Sequence, residues 1–130
     1  MTSPDGQVFT WGYGASGCLG HGVYESQTSP TRVTAGGISS KQIVYAECGG
    51  YHTGAVSDDG HLYMWGRADV GQLGLPPAYL KSDTHGKVAT VPMHVSHFQQ
   101  IDCSVAQVAL GEAHTLVLDT EGSVYSFGWC

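Results

Sequence analysis

With 130 residues, of which 42% are hydrophobic, the chain holds enough material for one modest domain and not for two. Eleven acidic residues against five basic ones give a net charge of −6, and the five cations (Arg32, Lys41, Arg67, Lys81 and Lys87) are scattered rather than clustered. That balance opposes attraction to a polyanion and excludes direct nucleic-acid binding, while the lack of any long apolar run or lipidation signal excludes a membrane partner.

In chain order, short segments rich in β-branched and aromatic residues alternate with glycine-bearing turns. The first ends on Val8, Phe9, Thr10, Trp11 and Gly12. Strands are then predicted at residues 43–46, 54–56, 62–65, 91–95, 105–110, 116–118 and 124–127. Asp59-Gly60 and Glu121-Gly122 fall between two such strands, where glycine supplies the positive φ a hairpin turn demands. No helical periodicity is found. Residues 76–87, with two prolines and a polar composition, read as a surface loop.

The segments repeat. Gly6 lies 54 residues before Gly60, as Trp11 does before Trp65; Gly60 lies 62 before Gly122, as His52 does before His114. The longer second interval places an insertion at residues 76–87. The repeats run roughly over 6–59 and 60–121, with the start of another at 122–130, all within a single domain over 1–130. Self-similarity at such a period is the mark of a repeat architecture. The recurrent positions Trp11, Gly12, His52, Trp65, Gly66, His114, Phe127 and Gly128 are therefore assigned structural duty, the aromatics as core between neighbouring sheets and the histidines as donors to buried carbonyls.

Cys48-Gly49 with His52-Thr53, Asp59-Gly60, Tyr63 with Trp65-Gly66, Gly71-Gln72-Leu73-Gly74 and Pro92 with Val95 together resemble the regulator of chromosome condensation repeat family, nearly from end to end. The resemblance implies an all-β fold, a seven-bladed β-propeller with four antiparallel strands per blade. About nine strands make one full blade and parts of two more, an incomplete ring of about two blades' worth whose open sheet edges invite self-association. The chain departs from the family pattern in having Gly14 and Ala68 where asparagine is usual, Phe127 in place of Trp and Leu110 in place of Cys.

Catalytic and ligand motifs dissolve on inspection. Gly12-Tyr13-Gly14-Ala15-Ser16-Gly17 fits the dinucleotide fingerprint, but no helix pattern follows and residues 66–71 lose the middle glycine. Cys48, His52, His94, His97 and Cys103 lack the paired short spacings of a zinc site. Ser57, Asp58 and His52, or Cys48 with His52, lack a nucleophile-elbow context, so no enzyme activity, metal or cofactor is expected. The cysteines Cys18, Cys48, Cys103 and Cys130 sit at non-equivalent places with no secretory signal before them, so a reduced, soluble, intracellular chain of the cytoplasm or nucleus is expected.

The family resemblance implies a protein-binding module within a larger regulatory protein, or guanine-nucleotide exchange on a Ran-type small GTPase. A plant ultraviolet-B receptor of the family uses Gly-Trp-Arg-His-Thr; here Gly50 or Glu112 stands at its Trp and Tyr51 or Ala113 at its Arg, so chromophore and cation are both missing. Gly50, Tyr51, Glu112 and Ala113 are the first partner-contact candidates, with Tyr79, Leu80 and His85 of the insertion as a second group.

Overall fold

A computed structural model of the chain describes residues 6–14, 17–75, 80–83 and 86–128. Their regular structure is almost wholly β. In chain order the strands are β1 (Phe9–Gly12), β2 (Gln27–Arg32), β3 (Ile43–Cys48), β4 (His52–Ser57), β5 (Leu62–Arg67), β6 (Lys81–Asp83), β7 (Gly86–His94), β8 (Val105–Leu110), β9 (His114–Asp119) and β10 (Val124–Gly128). They form three antiparallel sheets: β1-β2, β3-β4-β5-β7-β6 and β8-β9-β10. The middle sheet is one complete four-stranded blade with β6 added at its outer edge; the flanking sheets are parts of two more.

Each sheet repeats the wiring of the last. Val33 N–H donates to Val8 O at 2.8 Å, and Val95 N–H donates to Leu62 O at the same distance. Ile43 N–H bonds Gly6 O and Val105 N–H bonds Gly60 O, both at 3.0 Å, joining the first strand of a sheet to the acid-Gly turn of the sheet before it. The turns have the anticipated conformation, with φ of +74° at Gly6, +82° at Gly60 and +89° at Gly122. Asp119 braces the last of them, its Oδ1 accepting from the N–H groups of Glu121 at 2.9 Å and Ser123 at 2.8 Å.

The core lies between sheets. Ala55, Val56, Leu62, Met64, Trp65, Val108 and Val117 are fully buried, and β8 packs across β3 and β4. Gly54 permits that approach: a Cβ there would stand 2.8 Å from the Met64 sulfur and 3.4 Å from methyls of Val108 and Leu110. Phe98 meets Tyr125 edge-on, with ring centroids 5.3 Å apart, and closes the far end of the same interface.

Three elements differ from the sequence reading. The polar hexapeptide of β2 is a strand because its backbone pairs with β1, and its mostly exposed edge position tolerates Pro30. Within residues 76–87, β6 pairs with β7 through Lys81–Val88, Ser82–Lys87 and Asp83–Gly86, so backbone ladder bonds make a hairpin that composition hides. A single helical turn, α1 (His97–Gln100), follows β7, too short for periodicity to reveal and anchored by the buried Phe98.

Two glycines with equal backbone strain separate conformation from packing. Gly20 (φ +82°) would place a Cβ 2.8 Å from Trp65 Nε1, whereas at Gly122 (φ +89°) a Cβ meets nothing within 4 Å. Gly122→Ala is expected to destabilise by about 1 kcal/mol, the conformational cost alone, and Gly20→Ala by about 2 kcal/mol more through overpacking. Urea unfolding monitored by tryptophan fluorescence measures the difference; equal losses would show that the Gly20–Trp65 approach carries no weight.

Candidate inter-sheet cleft

The junction between sheets is built from recurring residues. The turn at residues 17–20 presents Cys18 O, which accepts from Thr53 Oγ1 and from Trp65 Nε1, both at 2.9 Å. One repeat later Gln72 O accepts from Thr115 Oγ1 at 2.6 Å, and Gly74 lies against the half-buried ring of Phe127. His52 Nε2 lies 3.0 Å from Thr115 Oγ1 and 3.2 Å from His114 O. The carbonyl can only accept, and the Thr115 proton is already given to Gln72 O. His52 must therefore carry its proton on Nε2. Its Nδ1 is buried with no hydrogen-bond partner among the described residues. Burial outweighs the His114 carbonyl and holds the imidazole pKa below its ordinary 6.5.

This junction positions two loops side by side. Gly66 closes β5 against the β3–β4 loop, where Arg67 N–H donates to Tyr51 O at 2.9 Å, and a Cβ at Gly66 would stand 2.6 Å from that oxygen. Gly128 repeats the arrangement against Ala113 O at 2.6 Å. The loops touch directly: Gly50 N–H donates to Gly111 O at 3.2 Å, and a Cβ on Gly50 would stand 3.0 Å from Glu112 Cγ.

Between them opens a cleft of about 430 Å³, walled by Tyr51, Val70, Glu112 and Ala113 and floored by Gln72 and His114. Arg67 and Asp69 complete it. Arg67 Nε donates to Asp69 Oδ2 at 2.6 Å while its guanidinium carbon lies 5.5 Å from the centre of the Tyr51 ring. Burial pushes the Asp69 carboxyl up, but Arg67 and the Lys87 backbone N–H at 2.7 Å outweigh it and hold the pKa below the usual carboxylate range. A second cleft, about 290 Å³, occupies the equivalent place one sheet earlier and is lined by Phe9, Trp11, Tyr13, Leu19 and Gly50 among others.

The structure thus brings Gly50, Tyr51, Glu112 and Ala113 together. Leu80 instead lies half-buried against the hydrophobic core, and Tyr79 and His85 lie outside the described residues. Arg67, Asp69 and Val70 were missed by the sequence reading, since none recurs in the repeats. Trp11, at the outermost position of its series, is 46% exposed where Trp65 is fully buried.

Neither catalytic grouping considered from the sequence is assembled among the described residues. His52 and Ser57 sit at opposite ends of the six-residue β4, about 16 Å apart along the strand, and Ser57 Oγ donates to Asp59. His52 gives its Nε2 proton to Thr115 and His114 rather than facing Cys48, and burial pushes the Cys18 thiol up. After Gly17 the chain forms a turn, with Gly20 N–H on Gly17 O at 3.1 Å, and no helix that a pyrophosphate could cap. Among the described residues no three His, Cys, Asp or Glu side chains converge to hold a metal, and no helix is long and apolar enough to cross a membrane.

Because His52 is protonated less readily folded than unfolded, the unfolded state binds more protons below pH about 6.5 and stability falls as pH drops through that window. His52→Gln keeps a donor without the titration. Its unfolding free energy, measured from pH 8 to 5, is expected to decline less steeply than that of the parent, with the remaining slope due to His21 and His94, whose pKa values burial also lowers. Parallel slopes would show that His52 takes no part.

Comparison with known proteins places these features in a lineage. The regulator of chromosome condensation (RCC1) repeat matches residues 5–56 and 59–118, and a second description of the same repeat matches 43–72. The chain is 38% identical over 124 residues to the mitochondrial RCC1 domain-containing protein RUG3 of Arabidopsis thaliana, covering 95% of this chain and 26% of that one. It is 32% identical over 127 residues to the human E3 ubiquitin-protein ligase HERC2, covering 95% of this chain and 2% of the ligase. Among solved structures, human WBSCR16 superposes with a TM-score of 0.82 at 30% identity, over 98% of this chain and 30% of its own. Yeast RCC1 (Prp20), solved bound to Kap60, superposes with a TM-score of 0.81 at 26% identity, over 97% and 29%. The chain thus spans about a quarter of RUG3 and under a third of each solved chain.

Proposed function

Since the chain belongs to the regulator of chromosome condensation (RCC1) repeat family, we propose that it serves as a protein-binding module of a propeller and that it binds through the cleft between the β3–β4 and β8–β9 loops. The observation that carries this reading is a division of labour at one sheet end. The loop backbones are fixed by Gly66, Gly128 and the Gly50–Gly111 bond, yet Tyr51, with Arg67 over its ring, remains 42% exposed and Glu112 is exposed, so both side chains still present surface to another molecule. An aromatic on a rigid frame loses little entropy on binding and is a common anchor of interfaces.

Relatives lend support. Prp20 has been crystallised with Kap60, and its binding to Gsp1p and histones has been studied alongside its structure; HERC2 carries such repeats within a ligase far longer than this chain. In the Prp20 cases such repeats meet other proteins. The module itself is not catalytic, and its place is intracellular, in the cytoplasm or nucleus, although one relative is mitochondrial. The free edges of β2 and β10 among the described residues offer a second route to association, with a further copy.

The cleft is tested by obstruction. Tyr51→Ala combined with Ala113→Arg is expected to reduce recovery of co-purifying proteins about tenfold in quantitative capture, while Asp58→Ala at the opposite sheet end leaves it unchanged. Equal recovery from both variants would overturn the assignment of this surface. A second reading, guanine-nucleotide exchange, is favoured by the binding of Prp20p to Gsp1p. It predicts that the protein accelerates release of a fluorescent guanine nucleotide from a Ran-type GTPase, and a flat trace would leave binding alone.

A further inference from the structure

We infer that the cleft between the β3–β4 and β8–β9 loops takes a basic side chain, lysine or arginine, from an extended segment of the partner protein, with Glu112 as its counter-ion and Tyr51 and Val70 as the wall along its aliphatic stem. This rests on the reading of the cleft as the partner surface and adds the chemistry it selects.

Charge bookkeeping inside the cleft leaves one carboxylate over. The only guanidinium, Arg67, is committed within the chain, held by Asp69 at 2.6 Å and laid over Tyr51 at 5.5 Å. Glu112 is exposed and forms no ion pair among the described residues, yet its stem is set against the Gly50 backbone, where a Cβ would stand 3.0 Å from its Cγ. A carboxylate already positioned loses less freedom on pairing than a freely rotating one. Beside it Tyr51 and Val70, 42% and 41% exposed, offer apolar surface of the kind a lysine or arginine stem covers while its head stays polar.

The fold does not ask for this charge. One repeat earlier the position of Glu112 is Gly50 and that of Arg67 is Tyr13, on the same backbone framework, and the corresponding cleft is aromatic and uncharged in its named walls. Glycine satisfies the same loop geometry one repeat earlier, so the loop itself leaves the Glu112 carboxylate available to a partner's cation. The net charge of −6 acts in the same direction, drawing cations toward the surface and repelling phosphate-rich ligands. The occupant is therefore a basic protein segment rather than a nucleic acid or an anionic lipid surface.

The experiment is a titration of the isotope-labelled chain with N-acetyl-arginine methylamide and N-acetyl-lysine methylamide, followed by amide resonances, with the norleucine and glutamate analogues as neutral and anionic probes. Saturable shifts are expected at Tyr51, Glu112 and Ala113 with the basic probes. Glu112→Gln is expected to weaken them about threefold, the scale of an exposed ion pair, and added salt to do the same. Shifts that map to the Asp59 and Glu121 end, equal binding of norleucine, or indifference to Glu112→Gln would each overturn the proposal. If Glu112→Gln is silent while the Tyr51 and Ala113 variants still abolish capture, the surface stands and only its charge selectivity fails. If those variants leave capture intact, the surface itself is wrong.

Discussion

One backbone carbonyl per repeat carries the junction on which the rest of the molecule depends. Cys18 O receives both the threonine and the tryptophan of the next sheet, and Gln72 O receives the equivalent threonine one repeat on. Turn carbonyls of this kind are oriented away from their own ladder, so an unmet one buried at the interface would cost about 1–3 kcal/mol. Neighbouring sheets are thus held by bonds that only the correct neighbour supplies, at a spacing only the 17–20 and 71–74 turns provide. Where Phe127 stands in place of tryptophan the ring still packs on Gly74, as Trp65 does on Gly20, but there is no indole donor and, among the described residues, Thr115 alone meets the carbonyl. The packing half of the junction survives a substitution that removes half of its hydrogen bonding.

The same junction explains why His52 is both histidine and neutral. Its donor must reach across the interface to a carbonyl and to a hydroxyl whose own proton is spent, a demand no aliphatic residue meets and a charged one meets only against burial. The chain of bonds from His52 Nε2 in β4 through Thr115 in β9 to Gln72 O in the 71–74 turn ties two sheets and a turn together, so the loop holding Glu112 and the loop holding Tyr51 are referenced to one frame. Rigid backbone and exposed side chains coexist there because the holding is done by backbone bonds and by the recurrent glycines, which leave the side chains of Tyr51 and Glu112 at the surface.

This division also sets what the sequence made legible. Trp65, His52, Thr53 and Gly60 could be assigned because periodic recurrence isolates residues whose role is set by the repeating geometry itself. The β2 and β6 strands could not, because both are held mainly by backbone pairing at sheet edges, which leaves no apolar alternation in Gln27–Arg32 or Lys81–Asp83. Helix α1 is a single turn, shorter than any period. Half of the cleft was visible, since Gly50, Tyr51, Glu112 and Ala113 occupy loop positions defined by the repeat. Its other half, Arg67 and Asp69, was invisible because it comes from the last residue of β5 and the turn after it, which matter through proximity to Tyr51, and proximity across a sheet is not written in spacing.

Burial along the series shows how the architecture gains stability. Leu62 and Val124 hold the same place in successive repeats; the first is fully buried and the second 66% exposed. Leu116, at the place of the buried Gly54, is 41% exposed on the same outward face of the β8-β9-β10 sheet. The difference is not one of local propensity, since both places are strand in both sheets. It is the presence of β8 across the middle sheet and the lack of a corresponding strand, among the described residues, across β9 and β10. In a stacked repeat each sheet is a core for its neighbour, so the free energy of any one sheet includes an interface term it cannot supply alone. At about 25 cal/mol per Å² of apolar surface, covering Leu116 and Val124 would stabilise the last sheet by an amount comparable to a buried side chain apiece. Covering the outward face of β8-β9-β10 would supply that missing interface term, at a place separate from the proposed partner cleft.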